Sequence, residues 1–161
     1  MALKADRDEE RTDISFYYNA GVADRGGVVC YAGAGGSGAA MDQGTNLAAY
    51  KAVGAGDVPV GLLLNDVVNK DLTRTHLNVY KDEVQLGNKV TILRRGYVVT
   101  NMLDGVATPI APGDVAYAST AVAGLITNSG DAQHAFGRFD TKVDADGYAK
   151  VSVNTPTSVN A

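Results

Sequence analysis

The chain has 161 residues, of which 45% are apolar, and its 14 Lys and Arg against 18 Asp and Glu give a net charge of −4. This length and composition predict one globular domain that folds without a disulfide or a metal. The absence of a basic cluster argues against nucleic-acid binding, and the absence of any run approaching 18 apolar residues argues against a membrane-spanning helix.

The N-terminal segment, residues 1–13, is predicted to be an extended arm. Eight of the ten residues from Lys4 to Asp13 are charged, and none of the ten is large and apolar. We therefore expect the arm to become ordered mainly on binding a partner surface. Opposite charges three positions apart, such as those of Arg7 and Glu10, leave one helical turn as the alternative. The candidate partner contacts are Lys4, Asp6, Arg7, Asp8, Glu9, Glu10, Arg11 and Asp13. The segment also lacks the apolar core of a signal peptide, so we expect synthesis in a bacterial cytoplasm.

Residues 14–154 are predicted to form a single β-rich domain, followed by a C-terminal tail at 155–161. Short segments rich in β-branched and aromatic residues alternate with turn residues, and the chain contains 19 glycines. This pattern is typical of an all-β fold, either a small barrel or a sandwich of short antiparallel strands with little helix. The predicted strands are 14–18, 28–31, 59–64, 89–94, 97–103, 114–118, 124–127, 135–143 and 148–153.

Turn residues fix the connections between some of these strands. Asp146-Gly147 predicts a hairpin between the last two strands, which alternate well between apolar and polar residues. Asp104-Gly105 predicts a second turn. Short helices are possible only in residues 46–53 and 65–73.

Apolar positions in the strands predict the core. Phe136 and Phe139 are three positions apart, which places them on opposite faces of a regular strand, so we expect one of them at an interface. The predicted core residues are Ile14, Phe16, Val28, Cys30, Leu62, Leu64, Ile92, Val99, Phe136, Phe139, Val151 and Val153.

One motif has the form of a dinucleotide fingerprint. Gly33 to Gly38 reads G-x-G-x-x-G after a predicted strand. Such a site needs a helix that begins at the third glycine, but Gly44 interrupts the residues that follow. We therefore predict a hairpin loop and no nucleotide cofactor.

Metal ligation and nucleophilic catalysis find no support in the sequence. His76 and His134 are far apart, and the single cysteine, Cys30, is near neither. Residues 142–147 resemble part of a calcium loop but have Lys142 at the first ligand position. Cys30 has apolar neighbours and is predicted to be a buried, unreactive thiol. The sequence therefore predicts no metal, no cofactor and no enzyme.

Several segments are similar to those of a known family. They are LKADRDEERTDISFYYN at 3–19, PVGLLLNDVV at 59–68, YKDEVQLGNKV at 80–90, GDVAY at 113–117 and VDADGYAKV at 143–151. Together they resemble the decoration, or cement, proteins of tailed bacteriophages over almost the whole chain. The alanine- and glycine-rich stretch at 32–40 departs from the family.

The resemblance implies a structural protein of the virion that binds the outer surface of the icosahedral capsid. It implies that the protein bridges neighbouring capsomers and stabilises the mature head. The expected partners are the major capsid protein and further copies of the chain, with a trimer favoured over a dimer. The candidate interface residues outside the arm are Tyr17, Tyr18, His76, Tyr80 and Phe136.

Two other functions stay open at this point. One is a different virion component, such as the base of a head fibre. The other is a β-sandwich module that binds glycans. A glycan site favours exposed aromatic rings that stack on sugars, and the chain has no tryptophan.

Overall fold

The computed structural model describes residues 2–32, 46–77, 82–104 and 109–155. Within these ranges the chain is nearly all β, with one turn of 3-10 helix at Ala132–His134, and no helix there is long and apolar enough to cross a membrane. The predicted fold class is confirmed. The strands are β1 Leu3–Asp13, β2 Val28–Tyr31, β3 Ala48–Ala49, β4 Pro59–Leu63, β5 Asp66–Val68, β6 Glu83–Gln85, β7 Ile92–Thr100, β8 Val115–Ala118, β9 Ile126–Thr127, β10 Ala135–Phe139 and β11 Ala149–Asn154.

Nine strands form one curled antiparallel sheet, a half-barrel with the order β3-β2-β4-β7-β11-β10-β8-β9. β1 joins this sheet by pairing with β7. β7 is the central strand, because it also pairs with β4 at its beginning and with β11 along the rest of its length. β5 and β6 form a separate parallel pair, in which Val67 lies opposite Val84.

The predicted hairpin near the C-terminus is confirmed. β10 and β11 pair antiparallel, with Phe139 opposite Val151. β10 ends at Phe139, earlier than predicted, because the residues up to 147 form the turn. In this turn the Asp144 N–H donates to the Tyr148 carbonyl at 2.8 Å. Gly147 has a φ of +84°, which a glycine adopts without strain.

Buried apolar side chains form two clusters, one on each face of β2. Cys30 belongs to the first cluster, which fills the inside of the curl, and its neighbour Val29 belongs to the second. Adjacent strand residues point to opposite faces, so this half of the sheet is covered on both sides. On β11 the pattern differs, because Val151 is fully buried whereas Lys150 is only partly buried. The outer face of the β7–β11 half is therefore open to solvent.

Two predicted core residues are not buried. Ile14 is 64% exposed, because 14–18 is not a strand and takes part only in isolated bridges of Tyr17. Val99 is half-buried, because Val98 occupies the inward position on β7. The other ten predicted core residues are buried.

Two strand and helix predictions need correction, and one residue of the predicted tail is buried. The predicted strands 89–94 and 97–103 are parts of one strand, β7, which continues through Gly96. The segments that left room for helix contain the short strands β3 and β5 instead. Thr155, the first residue of the predicted tail, is buried, and its hydroxyl donates to the Val60 carbonyl at 2.8 Å.

Phe136 and Phe139 are both fully buried in the first cluster. The pairing of β10 with β8 explains how these two residues, three positions apart, share one face of the sheet. Ala135 lies opposite Tyr117 and Gly137 opposite Ala116, so β10 has an extra residue at Phe136. Such a bulge changes the direction of the side chain, and the expectation of one phenylalanine at an interface is corrected.

Candidate interaction surface

The predicted arm forms β1 and lies on the sheet of its own chain. Leu3 pairs with Thr100 at one end of the ladder, and Asp13 pairs with Ile92 at the other. The segment is extended, as predicted, but the expectation that it becomes ordered mainly on binding is corrected. Leu3, just before the charged run, is buried in the first cluster, and the backbone of β7 supplies hydrogen-bond partners.

β1 is an edge strand. Among the described residues it pairs with β7 alone, so no strand lies along its other edge. Its register shifts between Leu3 and Arg7 and again on both sides of Arg11, which leaves a short regular ladder at Arg7–Glu9. Such irregularities are common on edge strands.

Ion pairs fasten β1 to neighbouring parts of the chain. Lys4 Nζ lies 3.0 Å from Asp144 Oδ2, and Arg95 Nε lies 2.8 Å from Glu10 Oε2. The hydrogen bond to Asp144 raises the pKa of Lys4. The pKa of Asp144 is lowered by the Tyr148 N–H and then by Lys4. Solvent screens exposed pairs of this kind, so they fix the position of β1 more than they stabilise the fold.

The end of β1 is held by Asp13. Its carboxylate accepts hydrogen bonds from the N–H of Ser15 at 2.9 Å and from the Ser15 hydroxyl at 2.5 Å. Arg94 Nη1 lies 3.4 Å from the other carboxylate oxygen. Partial burial favours the neutral acid, but the Ser15 hydrogen bonds and the Arg94 charge outweigh it and lower the pKa of Asp13.

A network of arginines and aspartates connects the middle of β1 to the small sheet. Arg7 Nη2 lies 3.8 Å from Asp82 Oδ2, and Arg25 Nη1 lies 2.9 Å from the same oxygen. Arg25 is only 8% exposed, and its backbone N–H donates to Asp66 Oδ1 at 2.9 Å. A buried guanidinium needs such carboxylates, because an unpaired buried charge is strongly unfavourable.

Aromatic and charged side chains cover the open outer face beside β1. The Tyr97 hydroxyl donates to Asp6 Oδ1 at 3.2 Å, and Lys150 Nζ lies 3.6 Å from the centre of the Tyr97 ring. The negative charge of Asp6 raises the pKa of Tyr97. An open groove of about 370 Å³ continues this face across β8, β10 and β11, beside Arg138 and Ser152.

The exposed side chains of β1 are mostly acidic. We define the β1 edge as the exposed charged residues Asp6, Asp8, Glu9, Glu10 and Arg11. It contains four carboxylates and one guanidinium. Asp8 makes no ion pair within the described residues. Glu9 is compensated by Arg7, whose Nε lies 2.7 Å from Glu9 Oε1, and Glu10 is compensated by Arg95. The β1 edge therefore offers its negative charge mainly at Asp6 and Asp8, on a strand with one unpaired side.

The other predicted interface residues do not form one surface. Tyr18 is buried in the second cluster, where its hydroxyl accepts a hydrogen bond from the Tyr50 N–H at 3.3 Å. Phe136 is buried as well, so neither side chain is available to a partner. Tyr17 is half-buried and His76 is exposed. Tyr80 lies outside the described residues.

Sequence reasoning missed several residues of this surface. Tyr97 and Lys150 occupy outward positions on their strands, and the alternation with Val98 and Val151 is a signal that could have found them. The pairing of Arg25 with Asp82 has no such signal, because the two residues are distant in the sequence and Asp82 lies in a turn.

Two side chains that are often reactive in proteins, Cys30 and His134, are both buried. Burial raises the pKa of the Cys30 thiol to about 12, as expected for an unreactive cysteine. His134 is buried, with Nε2 3.1 Å from the Gly54 carbonyl. No group of three or more His, Cys, Asp or Glu in these ranges could hold a metal ion. The glycine motif at 33–38 lies outside them.

Comparison with known proteins gives one result. A phage cement family model, described as a structural cement protein (E217 gp24/Pam3 gp6), matches residues 8–154, most of the chain. No curated protein sequence is similar enough to count as a match.

Proposed function

The chain belongs to the structural cement protein family of phages, and from this we propose that it binds the outer surface of the icosahedral capsid, bridges neighbouring capsomers and stabilises the mature head. Membership in this family supports a structural, capsid-stabilising role and favours a non-enzymatic one. The match over residues 8–154 is the observation on which the proposal rests.

The β1 edge, together with the outer face around Tyr97 and Lys150, is the proposed contact surface. It presents both charge and aromatic area. The net charge of −4 supports attachment on the outside of the shell, because packaged DNA repels an acidic protein. The surface would be complemented by basic groups on the shell.

The proposed partners are the major capsid protein and further copies of this chain, with a trimer favoured over a dimer. An oligomer contacts several capsid subunits at once, which raises the overall affinity by about 10²–10⁴ over one contact. Binding to the expanded lattice alone then stabilises that lattice by mass action.

Reconstitution on phage heads tests the proposal. Heads are prepared from a phage that lacks this gene, incubated with the purified chain, and imaged by electron cryomicroscopy. We expect ordered density on the outer surface between capsomers and DNA release at a higher temperature than in bare heads. Unexpanded shells serve as the control and should bind less. Absence of the chain from expanded heads would overturn the proposal.

A further inference from the structure

We propose that the unpaired edge of β1 accepts a basic, extended segment of the capsid subunit as an additional strand. This inference rests on the proposed function and specifies how the two proteins make contact. The central contact would be a ladder of main-chain hydrogen bonds between β1 and the incoming strand. The outer face around Tyr97 and Lys150 would lie beside this ladder.

The pairing of β1 leaves room for such a strand. β1 is 11 residues long and hydrogen-bonds to β7 on one side alone. At about 3.3 Å per residue a regular strand of this length would span roughly 36 Å, but the register shifts confine the regular template of backbone N–H and C=O groups to Arg7–Glu9, about 10 Å. An unpaired edge of this kind is a template for an incoming strand from another protein.

Charge identifies the occupant. Two carboxylates of the β1 edge, Asp6 and Asp8, make no ion pair within the described residues, so an incoming strand with basic side chains is electrostatically favoured. A second copy of this chain would bring the same acidic strand. In the antiparallel register that overlaps the whole strand, Asp8 would lie opposite Asp8 and Asp6 opposite Glu10, and like charges in such positions are destabilising. Arg7 would lie opposite Glu9 in the same register, but Arg7 already pairs with Glu9 within its own chain at 2.7 Å, so this alignment adds little. The occupant is therefore a strand of a different protein.

The opposing interpretation is that the charges merely keep the edge from pairing at all. Charged side chains and bulges protect edge strands from aggregation in many proteins. The two interpretations differ in what happens when the sign of the charge is reversed at one exposed position. A lysine at that position would still protect the edge from aggregation, because it is also charged. The same lysine would repel a basic strand and weaken its binding.

Asp8→Lys is the test variant, and Asp131→Lys is its matched control. Both aspartates are exposed, Asp8 makes no ion pair, and Asp131 makes no side-chain hydrogen bond at the start of its 3-10 turn. Each substitution changes the net charge equally. Using expanded heads that lack the chain, we expect Asp8→Lys to weaken binding by about tenfold at low salt, and Asp131→Lys to leave it within about twofold.

Hydrogen exchange on the wild-type chain supplies a second measurement. On binding to heads, amides of residues 3–13 should become more protected than those elsewhere on the surface. Equal binding by both variants, or unchanged exchange in β1 on occupied heads, would overturn this inference while leaving the proposed function intact. Protection, in the purified protein without heads, of the β1 amides that face away from β7 would assign the edge to a second copy and would also overturn it. Failure of the wild-type chain to bind heads would instead defeat the proposed function.

Discussion

Asp82 Oδ2 accepts a hydrogen bond from Arg25 Nη1 at 2.9 Å, although the two residues are 57 positions apart in the sequence. The same oxygen lies 3.8 Å from Arg7 on β1. One carboxylate thus joins an edge strand to a nearly buried arginine of the body. Arg25 also has Asp66 as a second acidic neighbour. The loss of Asp82 should therefore reduce the free energy of unfolding only in part.

Asp82→Asn should lower the free energy of unfolding by about 1–2 kcal/mol. Removing a partner from a fully buried pair costs about 3–5 kcal/mol, but the Asp82 side chain is 45% exposed and Asp66 remains, so the effect is reduced. Urea denaturation measures the change. Asp131→Asn is the control and should change stability by less than about 0.5 kcal/mol. Equal effects of the two substitutions would contradict the network.

Leu3→Ala should destabilise the chain by about 2–5 kcal/mol, because Leu3 is 2% exposed and lies in the first cluster. Ile14→Ala removes a similar side chain that is 64% exposed, and its effect should stay within about 0.5 kcal/mol. Thermal and urea unfolding of both variants give the comparison. A Leu3→Ala protein as stable as the wild type would mean that β1 is a passive tail.

Gly96→Ala should displace β1 from the sheet. A Cβ at this position would lie 2.0 Å from the Asp8 carbonyl oxygen, and the φ of +134° is strained for any other residue. Gly113→Ala is the control, because its φ is +93° but its Cβ would meet nothing within 4 Å. The control should lower the free energy of unfolding only by the cost of the strained backbone, about 1–3 kcal/mol. Gly96→Ala should lower it by more, because its Cβ also clashes with β1. Faster amide exchange in residues 3–13 of Gly96→Ala alone would identify the contact with β1 as the cause.

Asp13 should contribute a pH-dependent part of the stability. Its pKa in the folded chain is below the ordinary value of 3.8, so the folded state favours the ionised form. That contribution is fully present above pH 3.8 and is lost as the pH falls through the lower folded pKa. Unfolding measured between pH 2 and pH 6 should show a wild-type advantage over Asp13→Asn that shrinks at the acid end of this range. An advantage that is constant with pH would assign the effect to packing instead.

Cys30 should resist thiol reagents in the folded chain at pH 8, because burial raises its pKa to about 12. A colorimetric disulfide reagent should react with it only after urea unfolds the protein. Rapid reaction under native conditions would show that β2 opens readily.

The sequence predicted those strands and turns whose structure depends mainly on residues close together in the chain. The β10–β11 hairpin follows from alternation and from Asp146-Gly147, and β4 follows from a short apolar run. The position of β1 could not be predicted in this way. Its charged residues have no apolar period, and the strand is held by distant partners, the backbone of β7 and the carboxylate of Asp144. Phe136 was misplaced for a related reason, because a bulge depends on the neighbouring strand and leaves no mark in the residue pattern.

The attachment of β1 to its own sheet has a kinetic consequence. A segment that had to change conformation on contact would add a second kinetic step to docking. β1 already has its backbone fixed by β7, so under the proposed function the chain would dock to the shell as a rigid body on this side. The rate of attachment should then be set by diffusion and by long-range charge, with a single phase that slows as salt is added.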